Sequence, residues 1–211
     1  MQEPISIRSA ERKAFQATVA DGLWDVFIGC FLLEFAIAPL LSKSLGDFWS
    51  SFIFLPFLGL VYLVIRLIRK NVVAPRIGTF KFGEPRQKKL RKLSIVMVAI
   101  NLAIFLLGLI AYLLLDKFSN GILMGALLGI LIMVGFSAAA YFLEYPRLYL
   151  YGSLLLLAPL AGEWLYANHG ASHHGFPVVF GFSSGFIIVV GLITFARLLK
   201  NHPQIEIPEG E

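Results

Sequence analysis

Apolar stretches of about twenty residues recur along nearly the whole chain, separated by short polar gaps, and continuous apolarity over such lengths reads as bilayer-crossing helices rather than strands. The pattern predicts six of them, at roughly 22–41, 48–69, 93–115, 120–143, 147–166 and 176–199. Trp24, Trp49 and Trp164, together with Tyr145, Tyr149 and Tyr166, fall near the ends of these runs, where amphipathic rings suit the headgroup boundary. The expected fold class is therefore all-α: a polytopic membrane helical bundle of six transmembrane helices.

Composition agrees, with 58% hydrophobic and 15% charged residues, against about 25% charged in soluble proteins. The 211 residues leave room for a single integral membrane domain, 1–211, with a polar N-terminal segment over 1–21, the bundle over 22–199, a basic connection over 70–92 and a tail over 200–211. The first nineteen residues are too polar for a signal-peptide core. Ser9–Ala20 suits a short amphipathic helix lying in the interface. Cys30 is the only cysteine, which excludes an intramolecular disulfide and a cysteine-rich metal cluster.

Charge sets orientation. Assigning each Lys and Arg to its nearest gap places sixteen in alternate gaps and two in the others. The positive-inside rule then puts both termini and the second connection in the cytoplasm of a cell (plasma or inner) membrane. Within that connection, Arg76, Lys81, Arg86, Lys88, Lys89, Arg91 and Lys92 are candidates for docking anionic headgroups or a cytoplasmic partner. The alternation from Pro75 to Pro85 suggests a short ribbon bounded by prolines. Because the basic pI of 9.4 arises largely here, it does not imply nucleic-acid binding.

Packing and chemistry have fewer signals. Gly121, Gly125 and Gly129 form one small-residue stripe and Gly181 and Gly185 another, suited to close helix packing or to a homo-oligomer seam. Pro39, Pro56 and Pro159 are expected to kink helices or expose carbonyls. The first span is the most polar. Asp21 and Asp25, one turn apart, suit the positive end of the helix dipole, while Glu34 lies near mid-span, where an ionisable group must face protein or water. Asn101 in the third span is a candidate partner for Glu34. In the last loop His169, His173 and His174, with Glu163 upstream, could hold Zn or Cu, although no cofactor is required by the pattern and a solvated loop accounts for it as well.

No Walker loop, dinucleotide fingerprint, zinc-protease motif or nucleophile elbow is present, which argues against an enzyme. Three readings stay open. One is binding or movement of a small solute or lipid through the bundle, with Asp21, Asp25, Glu34 and Asn101 as polar contacts. Another is a non-catalytic scaffold or accessory subunit engaging membrane partners or anionic lipid. The third is a metal-binding enzyme or sensor at the histidine cluster.

Overall fold

The computed structural model describes residues 21–78, 84–113 and 121–203. Eight α-helices account for most of them: α1 (Leu23–Leu45), α2 (Asp47–Phe52), α3 (Phe54–Ile68), α4 (Ala74–Ile77), α5 (Glu84–Leu113), α6 (Gly121–Leu143), α7 (Arg147–His169) and α8 (Phe176–Asn201). A π-helical turn, Arg69–Val73, joins α3 to α4, and a 3-10 turn, Ser172–Gly175, precedes α8. Six helical runs are long and apolar enough to cross a membrane, and the second of them is continuous from Asp47 to Ile77.

The first span extends past its expected end to Leu45, with Pro39 inside α1. The expected ribbon over 75–85 is corrected in part. Pro75–Ile77 is helical, since proline is tolerated in a first helical turn, and Glu84 already begins α5, while 79–83 lie outside the described residues.

Twelve of the thirteen described Lys and Arg gather at one end of the bundle, the end where α1, α5 and α7 begin and α3, α6 and α8 finish. It is called the basic end below. The most extensive helix pair is α1 with α8, the first and last long helices, followed by α6 with α7. A core of Leu32, Tyr151, Leu155, Phe180 and Ile187 unites the two pairs. α3 packs on α1 and α5 packs chiefly on α6, so both lie at the periphery with their apolar side chains turned outward.

The closest backbone approaches fall only partly on the expected glycine stripes. A Cβ at Gly129 would lie 2.5 Å from the Leu156 carbonyl oxygen, and one at Gly125 would lie 3.4 Å from that of Pro159, so these two carry the α6–α7 seam. Gly121 opens α6. Gly181 and Gly185 do not seat α8: a Cβ at Gly181 would meet only Ala36 at 3.8 Å, and one at Gly185 would meet nothing within 4 Å. Gly22 and Gly191 hold that seam instead, each facing the other's carbonyl oxygen, with Gly29 against Ile188.

Where α6 gives way to α7, Glu144 adopts a left-handed conformation (φ 53°), a position glycine usually takes at a helix end, while the Tyr145 N–H donates to the Ala140 carbonyl at 3.0 Å. The Glu144 side chain explains the departure. Its Oε1 accepts from Lys89 at 2.7 Å and from Arg86 at 2.9 Å, tying the start of α5 to this corner. The Lys89 hydrogen bond, followed by Arg86, holds the Glu144 carboxyl below its ordinary value against a smaller opposing effect of burial. A depressed carboxyl stabilises the folded state above its unfolded value of 4.5, and that contribution is lost as pH falls through the folded value. Hydrogen-exchange protection factors over α5, taken relative to the intrinsic exchange rate at each pH, are therefore expected to fall on acidification below pH 4.5 in the wild type, with a much weaker dependence in Glu144→Gln. Equal pH dependence in both proteins would remove Glu144 as the latch.

Candidate functional site

The polar residues of the first span divide between the two ends of the bundle. At the basic end Gly22 takes a left-handed conformation (φ +84°), which turns the chain into α1 and directs Asp21 back under the helix. Asp21 is fully buried; its Oδ1 accepts from the Leu23 N–H at 3.0 Å, and Arg69 from the π-helical turn donates to both carboxylate oxygens, at 2.9 and 3.0 Å. The Arg69 guanidinium lies 4.8 Å over the Trp24 ring. One arginine thus pins the α3–α4 junction to the start of α1.

Asp25, one turn on, is not a cap. It is wholly buried and accepts the Tyr145 hydroxyl proton at 2.6–2.7 Å, with Arg147 at 3.3 Å from the same carboxylate. Arg147 also donates to the Thr194 hydroxyl at 2.7 Å, and that hydroxyl donates on to the Val190 carbonyl at 2.8 Å. Burial, then the Asp25 carboxylate, push the Tyr145 hydroxyl far above the ordinary phenol range, so it remains a donor. The Tyr151 hydroxyl, also wholly buried, faces Asp25 without completing a hydrogen bond. A carboxylate from α1 is held in this way by Tyr145 at the corner before α7 and by Arg147 of α7, which is itself tied to Thr194 of α8.

Tyr145 is also a wall of an apolar cavity. About 480 Å³ in volume, it is framed by Trp24 and Ile28 of α1, Leu90 and Met97 of α5, Phe136 and Ala139 of α6, and Leu148 of α7. Apart from the Tyr145 and Trp24 polar atoms, these are hydrocarbon and aromatic surfaces. The cations around it lie at one end: Arg86 stands one turn before Leu90 on the same face of α5, and Arg69 covers Trp24.

Glu34 faces away from this network. It makes no hydrogen bond or ion pair with any described residue and lines a second, polar cavity at the other end. Asn101 does not partner it. It is exposed on α5, which packs chiefly against α6, and its amide donates to the Met97 carbonyl one turn back at 2.8 Å.

The expected metal residues separate. Glu163 Oε1 and His174 Nδ1 lie 3.0 Å apart, with the Tyr166 ring on His174, whereas His169 packs on Trp164 and His173 lines the Glu34 cavity. No three His, Cys, Asp or Glu side chains among the described residues converge on a metal-sized position. Of the basic residues, Arg86 and Lys89 are held by Glu144, Arg76 donates to the Val72 carbonyl at 2.9 Å, and Lys88 lies 3.7 Å from Glu84. Arg91 and Lys92 are exposed, and Lys81 lies outside the described residues.

Sequence reasoning missed Arg69, Arg147, Tyr151 and Thr194. For Arg147 a signal existed: it is a lone cation between two apolar runs, opposite a first span with surplus acid.

Among the described residues these features define an all-helical protein with six helices long and apolar enough to cross a membrane, enclosed carboxylates Asp21 and Asp25 at its basic end, and an apolar and a polar cavity. The chain matches no protein family, no curated protein and no solved structure.

Proposed function

We propose that this is an integral membrane protein, inserted with its basic end and both termini on the cytoplasmic side, that holds an anionic phospholipid in the apolar cavity beside Tyr145. The observation that carries this reading is the cavity, with about 480 Å³ of apolar volume framed by peripheral α5 on one side. Leu90 and Met97 are two turns apart, so the cavity runs about 10 Å along α5, the scale of one leaflet's upper acyl region. An acyl chain suits such walls, because each buried methylene contributes about 0.8 kcal/mol when the alternative is water. In a bilayer that gain shrinks, and fit together with headgroup attraction would decide occupancy. Twelve described cations against four carboxylates at this end supply the attraction for a phosphate.

The accessory-subunit reading has less support, since the exposed apolar faces of α3 and α5 are what lipid contact alone requires. A catalytic metal centre has less still, given the separation of His169 from His173 and His174.

Native mass spectrometry of the protein exchanged into phosphatidylglycerol or phosphatidylcholine tests the proposal. Wild type is expected to retain phosphatidylglycerol, and Ala139→Phe, which fills the cavity, to weaken retention by about tenfold. Replacing Lys88, Arg91 and Lys92 together with Gln should reduce the preference for phosphatidylglycerol while leaving a lipid bound. Wild type carrying neither lipid, or Ala139→Phe carrying as much as wild type, would refute the cavity as the lipid site.

A further inference from the structure

Residues 93–110 of α5 are apolar except for Ser94 and Asn101. Asn101 stands nine positions beyond Lys92, the last cation before this run, which at about 1.5 Å per residue sets it about 13 Å along the axis, near the middle of a hydrocarbon layer about 30 Å thick. It is exposed there, on a helix that packs chiefly on α6. One of its amide N–H groups donates to the Met97 carbonyl at 2.8 Å, while its Oδ1 and second N–H have no partner among the described residues. Lipid contact accounts for the apolar side chains around it, but acyl chains offer a carboxamide neither donor nor acceptor.

The neighbours of Asn101 give this face a definite spacing. Ser94, Val98, Asn101, Phe105 and Gly108 follow one another at intervals of four, three, four and three, the repeat of a helix that runs along another at a shallow crossing angle, and all five are exposed. The half-buried stripe of α5 lies one position earlier throughout, at Leu93, Met97, Ile100, Ile104 and Leu107, and Ile100 reaches within 3.7 Å of a Cβ placed on Gly135 of α6. The outer seam is therefore turned about 100° away from the contact with α6. At Gly108 a Cβ would meet nothing within 4 Å, which leaves that end of the seam open to a closely approaching backbone.

A carboxamide both donates and accepts, so it is its own complement. Every copy of an inserted chain has the same orientation, and a second copy therefore brings its own Asn101 to the same depth, a match that a partner of other sequence would reach only by coincidence. We propose that two copies of this chain pair through α5 about a two-fold axis along the membrane normal. The Oδ1 of each Asn101 accepts the second amide N–H of the other, and Val98 and Phe105 pack on either side of that pair. The pairing rests on the membrane insertion proposed above and is independent of the occupant of the apolar cavity.

Förster transfer between donor- and acceptor-labelled full chain in phosphatidylcholine vesicles, diluted stepwise with lipid, measures the pairing. Wild type is expected to show transfer that falls on dilution as a dimer does, Asn101→Leu to dissociate at a protein-to-lipid ratio about tenfold higher, and Asn101→Gln, which keeps a donor and an acceptor, to stay near wild type. Asn101 lies outside the contact with α6, so these variants should fold, as circular dichroism will show. In a Cys30→Ala background, Val98→Cys should form disulfide-linked dimers on oxidation and Ile95→Cys should not, although the two positions are 66% and 65% exposed. Flotation of the vesicles establishes insertion separately: a chain left out of them overturns the membrane reading and the pairing with it, whereas an inserted chain that stays monomeric at every dilution overturns the pairing alone. Asn101→Leu associating as tightly as wild type, or Ile95→Cys cross-linking as readily as Val98→Cys, would also overturn it.

Discussion

Replacing Asp25 with leucine is expected to destabilise the folded bundle by about 3 kcal/mol, near the lower bound for removing one partner of a buried ion pair. The lower bound applies because Arg147 is 39% exposed, so water can solvate part of its orphaned charge. The Tyr145 hydroxyl has no such escape; it is buried and would lose its acceptor. Tyr145→Phe removes the donor but leaves Asp25 with Arg147, and should cost less, about 1–2 kcal/mol. Unfolding of the detergent-solubilised variants by graded SDS, followed by circular dichroism, provides the comparison. If Asp25→Leu unfolds within about 0.5 kcal/mol of wild type, the range of a neutral surface change, the carboxylate does not tie α1 to α7 and α8.

Gly22→Ala should be comparably damaging for a different reason. The residue has φ +84°, where an L side chain costs about 1–2 kcal/mol, and its Cβ would run into the Gly191 carbonyl oxygen and lie 2.9 Å from the Phe195 nitrogen. Both α1 and α8 would have to shift, adding an overpacking cost of about 1–3 kcal/mol. Gly185→Ala is the opposite case on the same helix pair. A Cβ there meets nothing within 4 Å, and alanine is the better helix former, so stability should be unchanged or rise by up to about 1 kcal/mol. The same SDS titration distinguishes the two, and equal midpoints for both variants would mean that the Gly22–Gly191 contact does not hold the seam.

These two sites show where the sequence is informative and where it stops. The spans were legible because each is a run of side chains that share one preference, and neighbours along the chain report it together; the described helix bounds differ from the expected ones by a few residues, except where the second run continues to Ile77 and α5 begins early at Glu84. Asp25 was legible as an anomaly but not as a clamp, since Tyr145 is 120 positions away and as a tyrosine at a span end reads equally well as a headgroup anchor. The glycine stripes fail in a similar way. Spacing shows that Gly181 and Gly185 share a face, but only the packed structure shows that Gly191, matched to Gly22, is the point of contact. Asn101 was assigned to Glu34 because both are polar residues within apolar helices, and the position of α5 outside α6 separates them. The polar cavity lined by Glu34 was invisible for the same reason, as it joins α1, α2 and His173 across more than a hundred residues.

The pairing of the first long helix with the last has a consequence for the order in which the chain is made. Asp21 meets its partner only when Arg69 has been synthesised; Asp25 must wait for Tyr145 and Arg147, and the arginine in turn for Thr194. During most of translation α1 therefore carries two acidic groups without the partners that enclose them, and the backbone groove at Gly22 stays empty until Gly191 emerges. Contacts so distant in sequence form slowly, because the intervening loop must close first. The nascent protein is thus most exposed to misassembly or to a rescuing chaperone in the interval before α8 emerges, and the packing of that final helix against α1 closes the interval.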